Sequence, residues 1–402
     1  MSWPILKLED VSHHIRNGAS IKQVEGASGL PITRIETIAN REVNLDKCGY
    51  SDIKPDEYLK YRLKCGDILI SHINSEKHLG KCAIFEFERD DIIHGMNLLC
   101  FRPNDRVFPK YLFFYLSSEL FLSFIPTITK KSVNQASFTV THFKGLPIPL
   151  PPLPIQKQIA AVLEKSDTLR QQCQQIEQEL NALAQSVFLE MFGDFRKSDQ
   201  SDFVKLGECA DVCSGVTKGQ KLNGKVTSIV PYMRVANVQD GYLDLNEVKE
   251  IEAKQSDIEK YVLKPGDILM TEGGDHDKLG RGAVWQGEID NCIHQNHVFR
   301  VRFVNSYLPK FFEYLLQTLY AKQYFLKCAK KTTNLASINI TQLKSLPMPN
   351  ASLQAQQKFV DYIAKLDALK AVAKKTTQYH ENTFNSLMQR AFKGELDLTT
   401  KA

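Results

Sequence analysis

The stretch PPLPIQKQIAAVLEKSDTLRQQCQQIEQELNALAQSVFLEMFG, residues 151–193, decides how the rest of the chain is read. Its apolar residues fall at Ile155, Ile159, Val162, Leu169, Cys173, Ile176, Leu180, Leu183 and Val187, with Ser166 the one polar entry. The steps alternate between four and three residues, the a/d seam of a coiled coil, and predict a helix from Ile155 to Met191. Pro147, Pro149, Pro151 and Pro152 keep the preceding chain out of that helix, whereas Pro154 suits its first turn. Gly193 supplies a left-handed stop. At 1.5 Å per residue the helix is about 55 Å long, and a seam of that length needs a partner. Gln171, Gln172, Gln174, Gln175 and Gln178 would alone read as a disordered tract, but disorder has no reason to keep a heptad.

The partner comes from the chain itself, which is written twice. LKCGDILI at 63–70 answers LKPGDILM at 263–270, KKSVNQAS at 130–137 answers KKTTNLAS at 330–337, and LPIP at 146–149 answers LPMP at 346–349. Pro31, Arg34, His94 and Pro109 recur at the same offset as Pro231, Arg234, His294 and Pro309. A second seam follows at Phe359, Tyr362, Leu366, Leu369, Ala373, Thr376, His380, Thr383 and Leu387, polar beyond Ala373. One long repeat is a duplicated module; a solenoid would show shorter periods and more copies.

Each copy reads as a globular domain followed by a long helix. Gly66-Asp67 opens an apolar run at Ile68–Ile70; strands are also expected at Cys82–Phe87 and Leu98–Phe101, with an amphipathic helix from Pro109 to Phe124. The second copy repeats these at Ile268–Met270, Ala283–Trp285, Val298–Phe303 and from Pro309 to about Leu326. The expected fold class is α+β: two homologous mixed domains separated by two long antiparallel coiled-coil helices with an internal pseudo-two-fold. The expected boundaries are 1–152 and 196–351 for the domains, 153–195 and 352–394 for the helices, and 395–402 for a tail. A two-fold duplication places one domain at each end of a rod, which suits a target with dyad symmetry such as duplex DNA.

Composition sets few limits. The 402 residues are 43% hydrophobic and 24% charged with a net charge of +5, a balance that permits a polyanionic partner without requiring one. Nine cysteines are scattered without zinc spacing, so reduced thiols are expected. The opening MSWPILKLED lacks a basic segment followed by an apolar core, and the run Tyr111–Pro126 is too short to span a bilayer. These features lead to the expectation of a cytoplasmic protein with no membrane association.

The ordered motifs resemble the specificity subunit of type I restriction–modification systems. They are a K-L strand opening each domain (Leu6-Lys7-Leu8; Val204-Lys205-Leu206), an L-x-x-GDIL run, and L-P-x-P before a long helix. In the family that helix begins Pro-Pro-Leu-x-Glu-Gln; here Pro151-Pro152-Leu153 and Gln156 match, Ile155 replaces the acid, and the second copy keeps Leu353 and Gln356. The resemblance implies a non-catalytic reader of double-stranded DNA, each domain a target recognition domain for half of a split asymmetric site. It further implies methyltransferase subunits docked on the helices and a restriction–translocase subunit in the assembly. No cofactor would then be bound by this chain; S-adenosylmethionine, ATP and Mg²⁺ would sit on the partners.

Candidate DNA contacts follow from residue type and repetition. Lys130, Lys131, Asn134 and Ser137, with Lys330, Lys331, Thr332, Asn334 and Ser337, combine phosphate-neutralising lysines with short hydrogen-bonding side chains. The segments after the GDIL run diverge, offering His72, Asn74 and Lys77 in one copy and Glu272, His276 and Lys278 in the other. Divergence on a shared frame suits two different half-sites, although loops also vary freely. Arg34 and Arg234 fit a phosphate contact or a structural ion pair equally well. No GxxxxGK[ST] loop, Asn-Pro-Pro-aromatic tetrad or glycine-rich methyl-donor loop occurs. The competing enzymatic reading is a stand-alone metal-dependent endonuclease built on Asp244, Glu247 and Lys249, which Asn44, Lys47 and Gly49 in the first copy do not preserve. A scaffold with twin protein-binding domains is the third reading.

Overall fold

A computed structural model describes residues 3–396, except 25–28, 55, 133–134, 220–221, 223, 305–306 and 332–334. Two compact units are present: Met1–Gln175 with Lys374–Ala402, and Ile176–Ala373. Each therefore takes one globular domain, the start of one long helix and the end of the other.

In the first unit the apolar run after Gly66 becomes the strand Ile68–Ser71 inside an antiparallel four-stranded sheet, ordered Ser12–Asn17, Leu98–Pro103, Ile68–Ser71, Cys82–Ile84. Successive strand residues point to opposite faces. Ile68, Ile70, Leu99 and Phe101 accordingly enter a large core with Tyr111, Tyr115 and Phe121, while Leu69, Ala83, Leu98 and Cys100 enter a smaller one with Phe85 and Ile92. Both faces are covered, which is why this run does not alternate with polar residues. The opening strand Ile5–Lys7 pairs with Pro147–Pro149, tying the two ends of the domain together. The second unit repeats the sheet as Ala210–Ser214, Val298–Phe303, Ile268–Thr271, Gly282–Val284, and its opening strand Val204–Lys205 pairs with Pro347–Met348.

The amphipathic helix expected from Pro109 to Phe124 is broken. It runs Pro109–Ser117 and resumes at Glu119–Leu122, because Ser118 is extended and its hydroxyl caps the Phe121 amide at 3.2 Å. Thr318 makes the same break between Pro309–Gln317 and Leu319–Cys328. A serine inside an apolar helical pattern is a capping residue as readily as a tolerated polar one, and here tertiary packing selects the cap. Among the described residues no single helix is long and apolar enough to cross a membrane.

The long helices span Leu153–Phe192 and Leu353–Lys393, each about 60 Å. Both stop at a left-handed glycine, Gly193 at φ +78° and Gly394 at φ +74°. They run antiparallel within each unit. In the first, Ile159 and Leu163 share a core with Met388 and Phe392, Arg170 lies over the Phe384 ring, and Gln174 bonds Glu381, so one numbering rises as the other falls. In the second, Phe188 packs on Phe359 with ring centroids 5.2 Å apart, and also on Phe192 and Phe311.

The buried face is wider than the expected heptad and keeps most of it: Ile159 and Ser166 are buried, and Ile155, Val162, Cys173, Leu180 and Val187 are partly covered. Leu169, Ile176 and Leu183 are 41–49% exposed, and Tyr362 and Leu369 are exposed likewise. Covered positions outside the heptad include 156, 160, 163, 167, 170, 174, 177, 184, 188 and 192. On the second helix Phe359 and Leu366 of the expected seam are likewise buried, with 356, 363, 377, 388, 391 and 392 beside them. A strict 3.5 repeat drifts about 20° per heptad on a straight helix, and Leu169, Ile176 and Leu183 turn outward while their neighbours are covered.

Each helix is also anchored at its start by a buried glutamine. Gln156 accepts from the Phe108 amide at 2.7 Å and donates to the carbonyls of Arg106 and Pro151 at 3.0 and 2.8 Å. Gln356 repeats this on the Leu308 amide and the Ala351 carbonyl, both at 2.8 Å. No shorter side chain reaches all of these groups, and none without both donor and acceptor satisfies them.

Candidate nucleic-acid interface

In the first unit two remote segments meet. Strands Ile73–Asn74, Ala136–Ser137 and Lys130–Lys131 form a small antiparallel ribbon, with Ala136 between Asn74 and Lys131 and Ser137 between Ile73 and Lys130. Lys77 lies in the helical turn Glu76–His78 that leaves the ribbon. Lys77, Lys130 and Lys131 are exposed. Lys131 pairs with Glu76 at 2.7 Å, an exposed contact that contributes at most about 1 kcal/mol and leaves the ammonium exchangeable. Asn74 donates to the Ser71 hydroxyl at 3.1 Å and accepts from the Ser75 amide at 2.8 Å, fixing its rotamer on the surface.

The second unit builds the same ribbon from Gly273–Gly274, Ala336–Ser337 and Lys330–Lys331. Lys330, Lys331 and Ser337 are exposed, and His276 and Lys278 occupy the following turn, where Lys278 pairs with Asp275. Glu272 stands at the root of the ribbon: its amide donates to the His297 carbonyl and its carbonyl accepts from the Ile338 amide. Its carboxylate meets His297 Nδ1 at 2.5 Å. Asn134, Thr332 and Asn334 lie outside the described residues.

Two of the expected contacts sit elsewhere. His72 is 5% exposed, its ring against Phe138, and burial holds its pKa down at about 4; it is a core residue. No local pattern signals this, because His72 falls one residue past the buried strand, where the chain is still covered. Arg234 donates to the Glu247 carbonyl at 2.9 Å and pairs with its carboxylate at 3.4 Å, the ion pair of its two readings. Arg34 is exposed and donates to Gln23, beside a cavity of about 330 Å³ that Met96 and Asn97 also line.

Some functional support was missed. Asp67 of the GDIL run is 1% exposed and ion-paired with Arg102, and Asp267 pairs with Arg302 in the same way. The signal was present, since Arg102 and Arg302 recur at the repeat offset beside a repeated aspartate. His297, whose counterpart is Asn97, carried none.

The endonuclease alternative is not supported. Glu247 pairs with Arg234 and with Lys249 at 3.3 Å, and Asp244 accepts the Asn246 amide at 3.1 Å, so the three residues form a closed surface turn. Among the described residues no group of three or more His, Cys, Asp or Glu side chains could hold a metal ion. All nine cysteines are free.

Comparison with known proteins matches this layout. A family model described as the type I restriction modification DNA specificity domain matches residues 2–182 and again 199–379. A Methanocaldococcus jannaschii protein named as the MjaX specificity subunit of a type I restriction enzyme is 47% identical over 169 residues, 42% of this chain and 40% of that protein. The EcoKI specificity subunit of Escherichia coli is 22% identical over 100% of this chain and 90% of its own length. A chain from a structure describing assembly and conformational transition of the type I R-M system superposes with TM-score 0.58 at 18% identity, covering 98% of both chains. The type I restriction–modification S subunit from M. genitalium gives 0.55 at 14% identity, covering 98% of this chain and 96% of that one. At these identities the structures speak to fold alone.

Proposed function

Because the chain belongs to the type I restriction modification DNA specificity family, we propose that it is the non-catalytic sequence-recognition subunit of a type I restriction–modification complex. Residues 1–152 and 196–351 are the two target recognition domains, each reading one half of a split, asymmetric duplex site. The long helices, 153–195 and 352–394, receive methyltransferase subunits, and a restriction–translocase subunit completes the assembly. S-adenosylmethionine, ATP and Mg²⁺ belong to those partners, and the complex works in the cytoplasm.

The observation that carries this reading is the pair of ribbons. In each unit the fold brings two segments more than fifty residues apart onto one surface patch, and both patches present paired exposed lysines beside hydrogen-bonding groups. Lysines neutralise phosphates and position the protein, while divergent neighbours read base edges. The chain assembled with its methyltransferase should bind one bipartite duplex with steep salt dependence in a gel-shift titration. Cleavage of DNA by the chain alone with Mg²⁺, or no salt-sensitive DNA affinity in the assembly, would contradict the proposal.

A further inference from the structure

We infer that Glu272, positioned by His297, accepts a hydrogen bond from the exocyclic amine of one cytosine in the half-site read by the second domain. This rests on the reading of the chain as a DNA-recognition subunit and adds to it a base and a pair of residues.

The geometry fixes both side chains. His297 Nδ1 faces the Glu272 carboxylate, which only accepts, so a ring proton sits on Nδ1, while Nε2 lies 3.4 Å from the Asn296 side-chain amide. Nδ1 then donates to Glu272 Oε2 at 2.5 Å. That bond occupies one carboxylate oxygen and orients the other, which has acceptor capacity to spare. The Glu272 side chain is one-third exposed and His297 about half, so the carboxylate stands at the surface with its rotamer already set. Less side-chain freedom then remains to be lost on binding.

A carboxylate that only accepts selects among base edges. In the major groove cytosine offers the N4 amine as a donor, whereas adenine places the N7 acceptor beside its N6 amine, and guanine offers acceptors alone. An anion is repelled by those acceptors, and cytosine is the edge it fits.

The neighbouring backbone provides access. Gly274 adopts a conformation open to any residue, and a Cβ built on it would meet Lys278 Cβ at an ordinary 3.6 Å. The fold does not require glycine there. A bare strand beside a reading group is where another molecule's surface comes close. The first domain is built differently at the same place: His72 is buried where the Glu272 side chain is one-third exposed, and Asn97 replaces His297. The two half-sites therefore differ at this position.

The test is selection of randomised duplexes by the full chain assembled with its methyltransferase subunits. The wild type should enrich a bipartite site with a fixed cytosine in one half. Glu272→Gln should reduce discrimination at that position roughly ten-fold, leaving the other half-site unchanged. His297→Ala should soften the same position only, and His297→Gln, which retains a donor, should restore part of it. A positioning role predicts that pattern; a merely structural role would weaken every position together. If the wild type enriches a bipartite site and Glu272→Gln selects it with every preference intact, this inference is overturned while the DNA-reading assignment stands. A wild-type assembly that enriches no sequence overturns the assignment itself.

Discussion

Arg102 grips Asp67 with two parallel hydrogen bonds, Nε to Oδ1 at 2.7 Å and Nη2 to Oδ2 at 2.6 Å, and Arg302 holds Asp267 at 2.5 and 2.7 Å. The aspartate is buried and also accepts the amide three residues earlier, from Lys64 in one copy and Lys264 in the other, so it joins the Gly66 or Gly266 turn to the neighbouring strand. Removing one partner strands a buried charge, which typically costs about 3–5 kcal/mol. Arg102→Ala should lower stability by that order in urea denaturation, and the double change Asp67→Leu with Arg102→Met should recover most of the loss. A single variant as stable as the wild type would show that the pair does not hold the turn.

The position of the buried stripe on the long helices separates two groups of leucines. Leu163 is fully buried, whereas Leu169 and Leu183 are each 41% exposed. Leu163→Ala should cost about 2–5 kcal/mol, and Phe188→Ala about 3–5, on thermal or urea denaturation of the chain. Leu169→Gln and Leu183→Gln should stay within about 1 kcal/mol of the wild type. The reverse ranking would restore the heptad seam.

The ribbon lysines should act on affinity without selecting sequence. Lys130→Ala with Lys131→Ala, or Lys330→Ala with Lys331→Ala, should weaken binding to all duplexes alike. Each lost phosphate contact should lower the salt slope by about 0.9. Affinity measured from low to moderate salt checks this. Lost affinity with an unchanged slope would assign these lysines another role.

His94 and His294 are buried, each with a ring nitrogen against a carbonyl, of Leu98 at 2.9 Å and Val298 at 2.7 Å. Burial lowers both pKa values from the ordinary 6.5 to about 4, with Arg16 and Arg300 among the opposing charges. The folded state thus prefers neutral rings. Their contribution is complete above pH 6.5 and declines as pH falls through the window from about 6.5 to about 4, by at most about 1.4 kcal/mol per pH unit for each histidine. His94→Gln should flatten the difference between stability at pH 7 and pH 5 in paired denaturation curves. A variant with the wild-type pH dependence would contradict the burial argument.

The duplication, the α+β domains and the antiparallel pairing of helices were legible because each depends on a pattern within one stretch or on one long offset. Gln156 and Gln356 were visible as motif residues, but their bonds to the Phe108 and Leu308 amides join segments 48 residues apart and have no local signature. The heptad marks only part of the covered face for a related reason. Hydrophobic residues outnumber the covered positions along the helix, and which of them face inward is decided by the domain packed on each end. Lys130, Lys131 and Ser137 were found by repetition, and the fold then placed Asn74 and Lys77 beside them. His72 and Arg234 look polar and available in sequence; one is covered by Phe138 and the other is engaged by its own turn. The role of Asp67 has no local signature, because a glycine-aspartate pair resembles an ordinary turn when its arginine partner lies 35 residues away.

The central claim is that the chain holds two independent readers, one per half-site. Replacing residues 1–152 by the equivalent domain of a relative, assembling the chimera with the methyltransferase and mapping methylated sites across a genome tests it most directly. The account predicts that one half of the bipartite site changes while the other half, read by 196–351, is retained base for base. A chimera that assembles and methylates with both halves altered, or with neither, would contradict it.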